Sequence, residues 1–163
     1  MTTKPKFKLV PHLWYSTEAE EAAAFYASIF PDSRVDSVTA IEADNPSGPA
    51  GSVKVVEFTL CGQSFLAIGA GPHDPFNDAI SLHVTCENQA EVDMYWYGLL
   101  EGGGTEVACG WLTDRYGVRW QISPRILGEL MKSKKPGVAK RVGEAMLQMT
   151  KFDVAALERA AQG

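Results

Sequence analysis

His12 and His83 are the side chains best placed for chemistry in this sequence. Each sits in an apolar stretch with alternating faces, and the two lie 71 residues apart. A pair of imidazoles suits Zn²⁺, Fe²⁺, Mn²⁺ or Ni²⁺. It suits equally a hydrogen-bonded ligand or water in a cavity, or a pair of satisfied core histidines, and the residues alone leave these readings open. His73 belongs to the loop Gly71-Pro-His-Asp-Pro75 and reads as solvated. Cys61, Cys86 and Cys109 are odd in number, widely spaced and without a CxxC. That pattern argues against a disulfide framework or a structural zinc site, and it fits a reducing cytoplasm. Each cysteine reads as a small apolar core residue. Phe65-Leu-Ala-Ile-Gly-Ala-Gly71 looks superficially like the strand and glycine turn that cradles S-adenosylmethionine, but such a cradle needs a helix N-terminus directly after the glycines. Pro72-His-Asp-Pro75 starts none. No Gly-x-Ser-x-Gly, P-loop or dinucleotide fingerprint occurs.

These residues need a scaffold, and the composition permits one. The chain has 163 residues, 45% hydrophobic and 21% charged, enough for a core in one domain or two fused half-domains. No apolar run approaches the roughly 20 residues of a membrane span. Met1 to Lys8 is polar and basic with no apolar stretch behind it, so a cleaved export signal is not expected. A formal net charge of -5 argues against nucleic acid or a membrane surface as partner.

The elements come in two similar sets. Phe7 to Tyr15 reads as a strand, and Ser16 or Thr17 with Glu20 offers a capping box. Ala19, Ala22, Ala23, Tyr26, Ile29 and Phe30 then make a helical stripe, which Pro31 ends. Strands are expected at Arg34–Glu42, Ser52–Leu60 and Gln63–Ile68, the last two joined at Cys61-Gly62. After the loop from Gly69 to Phe76 the order restarts. It runs through a strand at Ala79–Cys86, an N-cap at Asn88, a helix stripe Val92, Tyr95, Trp96 and Leu99, one or two strands in Thr105–Thr113, and a last strand at Val118–Ser123. The 71-residue offset relates His12 to His83, Ala19-Glu20 to Ala90-Glu91 and Phe25-Tyr26 to Trp96-Tyr97, the mark of an internal repeat.

Pro11-His-Leu-Trp-Tyr15, Glu20-Glu-Ala-Ala-Ala-Phe-Tyr26, Phe76-Asn-Asp-Ala-Ile-Ser81 and Cys109-Gly-Trp-Leu-Thr-Asp-Arg-Tyr-Gly-Val-Arg-Trp-Gln-Ile122 resemble the PhnB-like family. That family is also labelled the 3-demethylubiquinone-9 3-methyltransferase family. It lies within the vicinal oxygen chelate, or glyoxalase/bleomycin resistance/dioxygenase, superfamily. The resemblance implies an α+β fold: two βαβββ modules, at 7–71 and 78–124, form a cupped, largely antiparallel eight-stranded sheet, followed by a C-terminal helical extension at 125–163. The tail, with Glu144-Ala-Met-Leu-Gln-Met149 and Phe152-Asp-Val-Ala-Ala-Leu157, looks like the family's usual ending.

In metal-holding relatives the ligands come from the first and last strand of each module. The resemblance puts His12, Leu66, His83 and Gln121 at those places, Gln121 standing where the superfamily's Gly-x-x-x-Glu ending has a carboxylate. Leu66 cannot ligate and Gln121 is only a neutral donor, so the set His12, His83 and Gln121 would hold a divalent metal weakly. Alternation around the cup adds Trp14, Ile68, Thr85 and Arg119 to a ligand pocket, with Arg119 suited either to an anionic group of the ligand or to a salt bridge at the pocket mouth or a dimer interface. Trp120 should point to the helix side. The resulting expectation is a cytoplasmic small-molecule-binding protein, a homodimer, with no certain cofactor. A metal-dependent lyase or isomerase using His12 and His83 is the alternative, and a methyltransferase a further one. An apolar stripe in the tail (Val142, Met146, Met149, Phe152, Val154, Leu157) also needs a covering surface, either the chain's own sheet or a second chain.

Overall fold

A computed structural model describes residues 7–163, so the reading of residues 1–8 as no cleaved export signal falls, as far as residue 6, outside the described residues. The chain divides into two units between Asp74 and Pro75, within the expected joint. Among the described residues no helix is long and apolar enough to cross a membrane.

The first unit runs β1 (His12–Tyr15), α1 (Ala19–Ile29), β2 (Arg34–Ala40), β3 (Lys54–Leu60) and β4 (Gln63–Gly69). Its sheet order is β1-β4-β3-β2, with β1 parallel to β4 and the other pairs antiparallel. Ala19, Ala22, Ala23, Phe25 and Tyr26 form the buried stripe of α1. They cover Val56, Phe58, Phe65 and Ala67, all on one face of the sheet. Each large side chain so buried stabilises the unit by ~1.5–3 kcal/mol. Tyr15 and Tyr26 join their hydroxyls at 3.2 Å inside this layer. The β3–β4 hairpin turns at Cys61 and Gly62 with φ of 47° and 74°, as a tight hairpin requires.

The capping box expected at α1 does not form. Glu18 is the N-cap residue, without a side-chain cap hydrogen bond to the helix. Its carboxylate instead accepts from the Thr17 N–H at 2.8 Å. Glu20 is drawn away by Lys54, whose Nζ lies 2.6 Å from Oε1.

The second unit repeats the order: β5 (Leu82–Cys86), α2 (Gln89–Leu100), β6 (Thr105–Glu106), β7 (Trp111–Thr113) and β8 (Arg119–Pro124). Its sheet order is β5-β8-β7-β6, again with the first and last strands parallel. Asn88 caps α2 as expected, accepting from the Glu91 N–H at 3.0 Å. Trp120 is buried, and its indole donates to Asp114 Oδ2 at 2.8 Å. Asp114 also accepts from the Tyr116 and Val118 N–H groups, which fixes the turn between β7 and β8.

Among the described residues the eight strands form two four-stranded mixed sheets, not one eight-stranded sheet. The fold class, α+β in βαβββ modules with C-terminal helices, is otherwise as expected. The repeat offset needs one correction. It holds at 71 through the strands, where Tyr15 and Cys86 are both buried, but slips to 70 in the helices. Tyr26 is therefore matched by buried Trp96, while Tyr97 is 59% exposed. The cause is a strand-to-helix connection one residue shorter in the second unit, residues 87–88 against 16–18.

The tail adds α3 (Arg125–Met131), α4 (Val138–Met146) and α5 (Val154–Gln162) to the second unit. Leu127, Val138, Val142, Phe152 and Leu157 make a small core of their own, flanked by Cys109, Met146 and Met149. The tail stripe thus meets its covering surface largely within its own chain.

Candidate functional site

In both sheets strand alternation leaves one face under the helix and the other open. The expected pocket residues stand on the open faces, four on each unit. On the first sheet His12 is opposite Leu66 and Trp14 is opposite Ile68. His12 is exposed, and Trp14 is anchored by its indole N–H to the Gly71 carbonyl at 3.2 Å. The row of His12 and Leu66 continues through Glu57 to Ser37, whose hydroxyl donates to Glu57 Oε2 at 2.7 Å. Leu66 separates His12 from that carboxylate, so the row offers a metal no adjacent donors.

On the second sheet His83 is opposite Gln121, which is opposite Trp111, while Thr85 faces Ser123 and Arg119 faces Thr113. The Gln121 side-chain amide donates to Ser81 Oγ at 2.8 Å, which holds the side chain across the face. Arg119 is held by two partners. Its Nε donates to Asp78 Oδ1 at 2.6 Å and its Nη1 to the Gly117 carbonyl at 2.7 Å. Among the described residues Nη2 has no acceptor. Beside this guanidinium lies a cavity of about 420 Å³ lined by Asp78, Val107, Ala108, Cys109, Trp111, Leu112, Thr113 and Arg119. It has one fixed cation with its paired carboxylate, hydroxyl and thiol groups, and an apolar wall, the usual make-up of a small-molecule site.

Among the described residues of each unit, no three His, Cys, Asp or Glu side chains gather as a metal site. Gln121 and His83 are the only neighbouring pair of donor types among the expected ligands of one unit. Cys86 and His73 stand apart from these faces. Burial, with the charge of Glu91 adding to it, pushes the Cys86 thiol up to about 12, so no thiolate forms there at neutral pH. His73 Nδ1 lies 2.6 Å from the Asp74 carbonyl on the surface. The glycines Gly69 and Gly71 lead into irregular chain, and the next helix starts only at Gln89, so the nucleotide-cradle geometry is absent there.

Sequence reasoning passed over Trp111, Val107 and Asp78. Trp111 was within reach, since pairing its short strand with β8 puts it in the row of Gln121. Asp78 carries no local signal, because its role arises only from a partner 41 residues away.

The 3-demethylubiquinone-9 3-methyltransferase family model matches residues 7–123, which takes in both βαβββ units and stops before α3. The tail read as the family's usual ending lies outside that match. The solved structure of a PhnB protein from Bacillus cereus is 35% identical, with a TM-score of 0.64, over 72% of this chain and 99% of its own. The crystal structure of protein PA1353 from Pseudomonas aeruginosa shares the fold at 20% identity and a TM-score of 0.55, over 73% of this chain and 98% of its own. No curated protein matches the sequence. Since the family model spans most of the chain, this protein belongs to the PhnB-like, 3-demethylubiquinone-9 3-methyltransferase family.

Proposed function

We propose that the protein is a small-molecule-binding protein whose ligand is a compact anion with an apolar body, held on the open face of the second sheet. The observation that carries this reading is Arg119. Two of its nitrogens are tied to Asp78 and Gly117, which orients the fork, and Nη2 remains for an acceptor at the edge of the cavity. An oriented guanidinium binds a carboxylate with little further loss of side-chain freedom. Trp111, Val107 and Leu112 supply apolar surface for the ligand body. The volume of about 420 Å³ suits a molecule of roughly drug-fragment size. Gln121, fixed by Ser81, presents its carbonyl oxygen on the same face. Asp78, the carboxylate of the lining, is engaged by Arg119, which favours binding over acid–base chemistry in this cavity.

A thermal-shift screen of small carboxylates and matched neutral amides tests this. A ligand selective for the native state should raise Tm by several degrees at about 100 times its Kd. The shift should be lost in Arg119→Ala. Amides that perform as well as the carboxylates, or hits indifferent to Arg119→Ala, would overturn the reading.

A further inference from the structure

Residues 146–154, between α4 and α5, run across the second unit and are tied to it at three levels. The Cys109 and Gly110 N–H groups donate to the Met149 and Thr150 carbonyls, both at 2.8 Å. Gln89 clasps the segment from α2, its Nε2 donating to the Phe152 carbonyl at 3.0 Å and its Oε1 accepting from the Val154 N–H at 2.8 Å. Lys151 binds Asp93 and lies 4.6 Å from the Tyr97 ring centre. The Phe152 ring fills the space over Gly110, where even a Cβ would come within 2.3 Å of it. The partly exposed Cys109 thiol lies beside it, directed at the Met146 carbonyl at 3.7 Å.

We infer that this segment is a latch: residues 146–154 with α4 and α5 open as a unit while the sheet and α2 of the second unit stay folded. Two observations separate its stability from the rest. Helices of nine residues have little stability of their own and depend on packing. That packing is a satellite core of five buried residues, distinct from the layer formed by Val92, Trp96, Leu112, Trp120 and Ile122. Small cooperative units of this kind open below the global unfolding free energy. The latch holds Cys109 and Gly110, and Cys109 is part of the wall of the Arg119 cavity. Opening therefore loosens that wall. The inference itself stands on the tail contacts and not on the ligand reading.

The three cysteines report on it separately. Cys61 is exposed, Cys109 lies partly exposed beside the latch and Cys86 is buried under α2. The full chain is treated with excess 4,4′-dithiodipyridine, a neutral thiol reagent, and the modified cysteines are followed by peptide mass. Cys61 should react first, the partly exposed Cys109 more slowly and faster whenever the latch opens, and Cys86 last. Phe152→Ala should speed Cys109 by at least about tenfold without speeding Cys86 equally. Lys151→Ala, which leaves the core intact, should speed Cys109 about two- to fivefold. Equal acceleration of Cys86 and Cys109 would show global unfolding, and an unchanged Cys109 in Lys151→Ala would show that the anchor holds nothing shut. Either result overturns the latch. Failure of every carboxylate in the thermal-shift screen would leave these rates untouched, so the two readings fail separately.

Discussion

At equivalent steps of their parallel strand pairs, the first unit sets His12 against Leu66 and the second sets His83 against Gln121. Backbone register is the same and the side chains are not. The outer edges differ as well. The first unit closes its sheet with β2, a full seven-residue strand, whereas β6 in the second has two residues. The chain beyond β6, from Val107 to Gly110, takes its hydrogen bonds partly from Trp111 and partly from the C-terminal tail. The two units thus share the helix-facing core and the strand pairing, which packing enforces, and differ in the open face and outer edge. The cavity beside Arg119 lies where both kinds of difference meet.

The largest effect should come from breaking the edge that is peculiar to the second unit. Gly110 has φ of 78°, and an added Cβ would sit 2.3 Å from the Phe152 ring and 2.8 Å from the Ile122 carbonyl. Gly62, in the first unit's hairpin, has a similar φ of 74° but nothing within 4 Å of the same position. Gly62→Ala should therefore cost only the left-handed backbone strain, about 1 kcal/mol. Gly110→Ala should cost that plus displacement of Phe152 from its core, ~3 kcal/mol or more. Urea denaturation of both variants checks the ordering, and near-equal losses would remove the distinction between the two edges.

A smaller effect is expected at the paired donor positions. Gln121→Glu puts a carboxylate beside His83 at nearly constant volume, with Ser81 still able to donate to it. One anionic donor should tighten Zn²⁺ by about tenfold in calorimetry, because the ion's charge is then partly compensated. Leu66→Glu makes the matching change beside His12. If Gln121→Glu binds Zn²⁺ no better than wild type, His83 and residue 121 do not address one ion.

Much of this was legible in the residues, for definite physical reasons. Alternation along Phe7–Tyr15 and Val118–Ser123 reveals which side chains share a face, because strand periodicity is local. The stripe of α2 and its Asn88 cap follow from local rules too. The α1 cap did not follow, because Lys54, 34 residues away, competes for Glu20. The one-residue slip of the repeat was hidden because Phe25-Tyr26 and Trp96-Tyr97 are both aromatic pairs, and identity of type concealed a difference in burial. One continuous eight-stranded sheet was an expectation of the resemblance, and hydrogen bonding groups the strands four and four. The cavity wall was missed because its shape depends on Met149 and Thr150 meeting Cys109 and Gly110, a contact that no local pattern announces.

The two helix starts sharpen the comparison at a cost of about 1 kcal/mol. Asn88 satisfies an orphan N–H at the start of α2, so Asn88→Ala should destabilise by ~1 kcal/mol. Thr17, the matching hydroxyl candidate in the first unit, is exposed and caps nothing in α1. Thr17→Ala should stay within about 0.5 kcal/mol. Thermal melts of the two variants at neutral pH give the answer, and an equal loss in both would mean that Thr17 caps α1 after all.

The smallest effect concerns two carboxylates held below their ordinary range for different reasons. In the first unit the Thr17 N–H, followed by the N–H of Glu18 itself, lowers Glu18. In the second, the Lys151 hydrogen bond lowers Asp93, with help from Gln89. A depressed carboxylate stabilises the fold above its unfolded value, and that contribution is lost as pH falls through the lower folded value. Both should therefore weaken on acidification below about pH 4. Lys151 has the opposite sign. Burial works against its charge, but the bonds to Asp93 and Tyr97 outweigh that and raise it, so its contribution fades only in strong alkali. Salt separates the two acids. At 1 M ionic strength the screening length is about 3 Å, which weakens an exposed ion pair but not a bond to a backbone amide. Lys151→Met should cost ~0.5–1 kcal/mol at pH 7 in low salt, most of it vanishing at pH 3 or in 1 M NaCl. Glu18→Gln should lose a smaller amount that acid removes and salt leaves in place. Melting curves at the two pH values and two salt concentrations resolve all four cases. A Lys151→Met penalty that survives both acid and salt would mean that its alkyl chain packing, and not its charge, fastens the tail to α2.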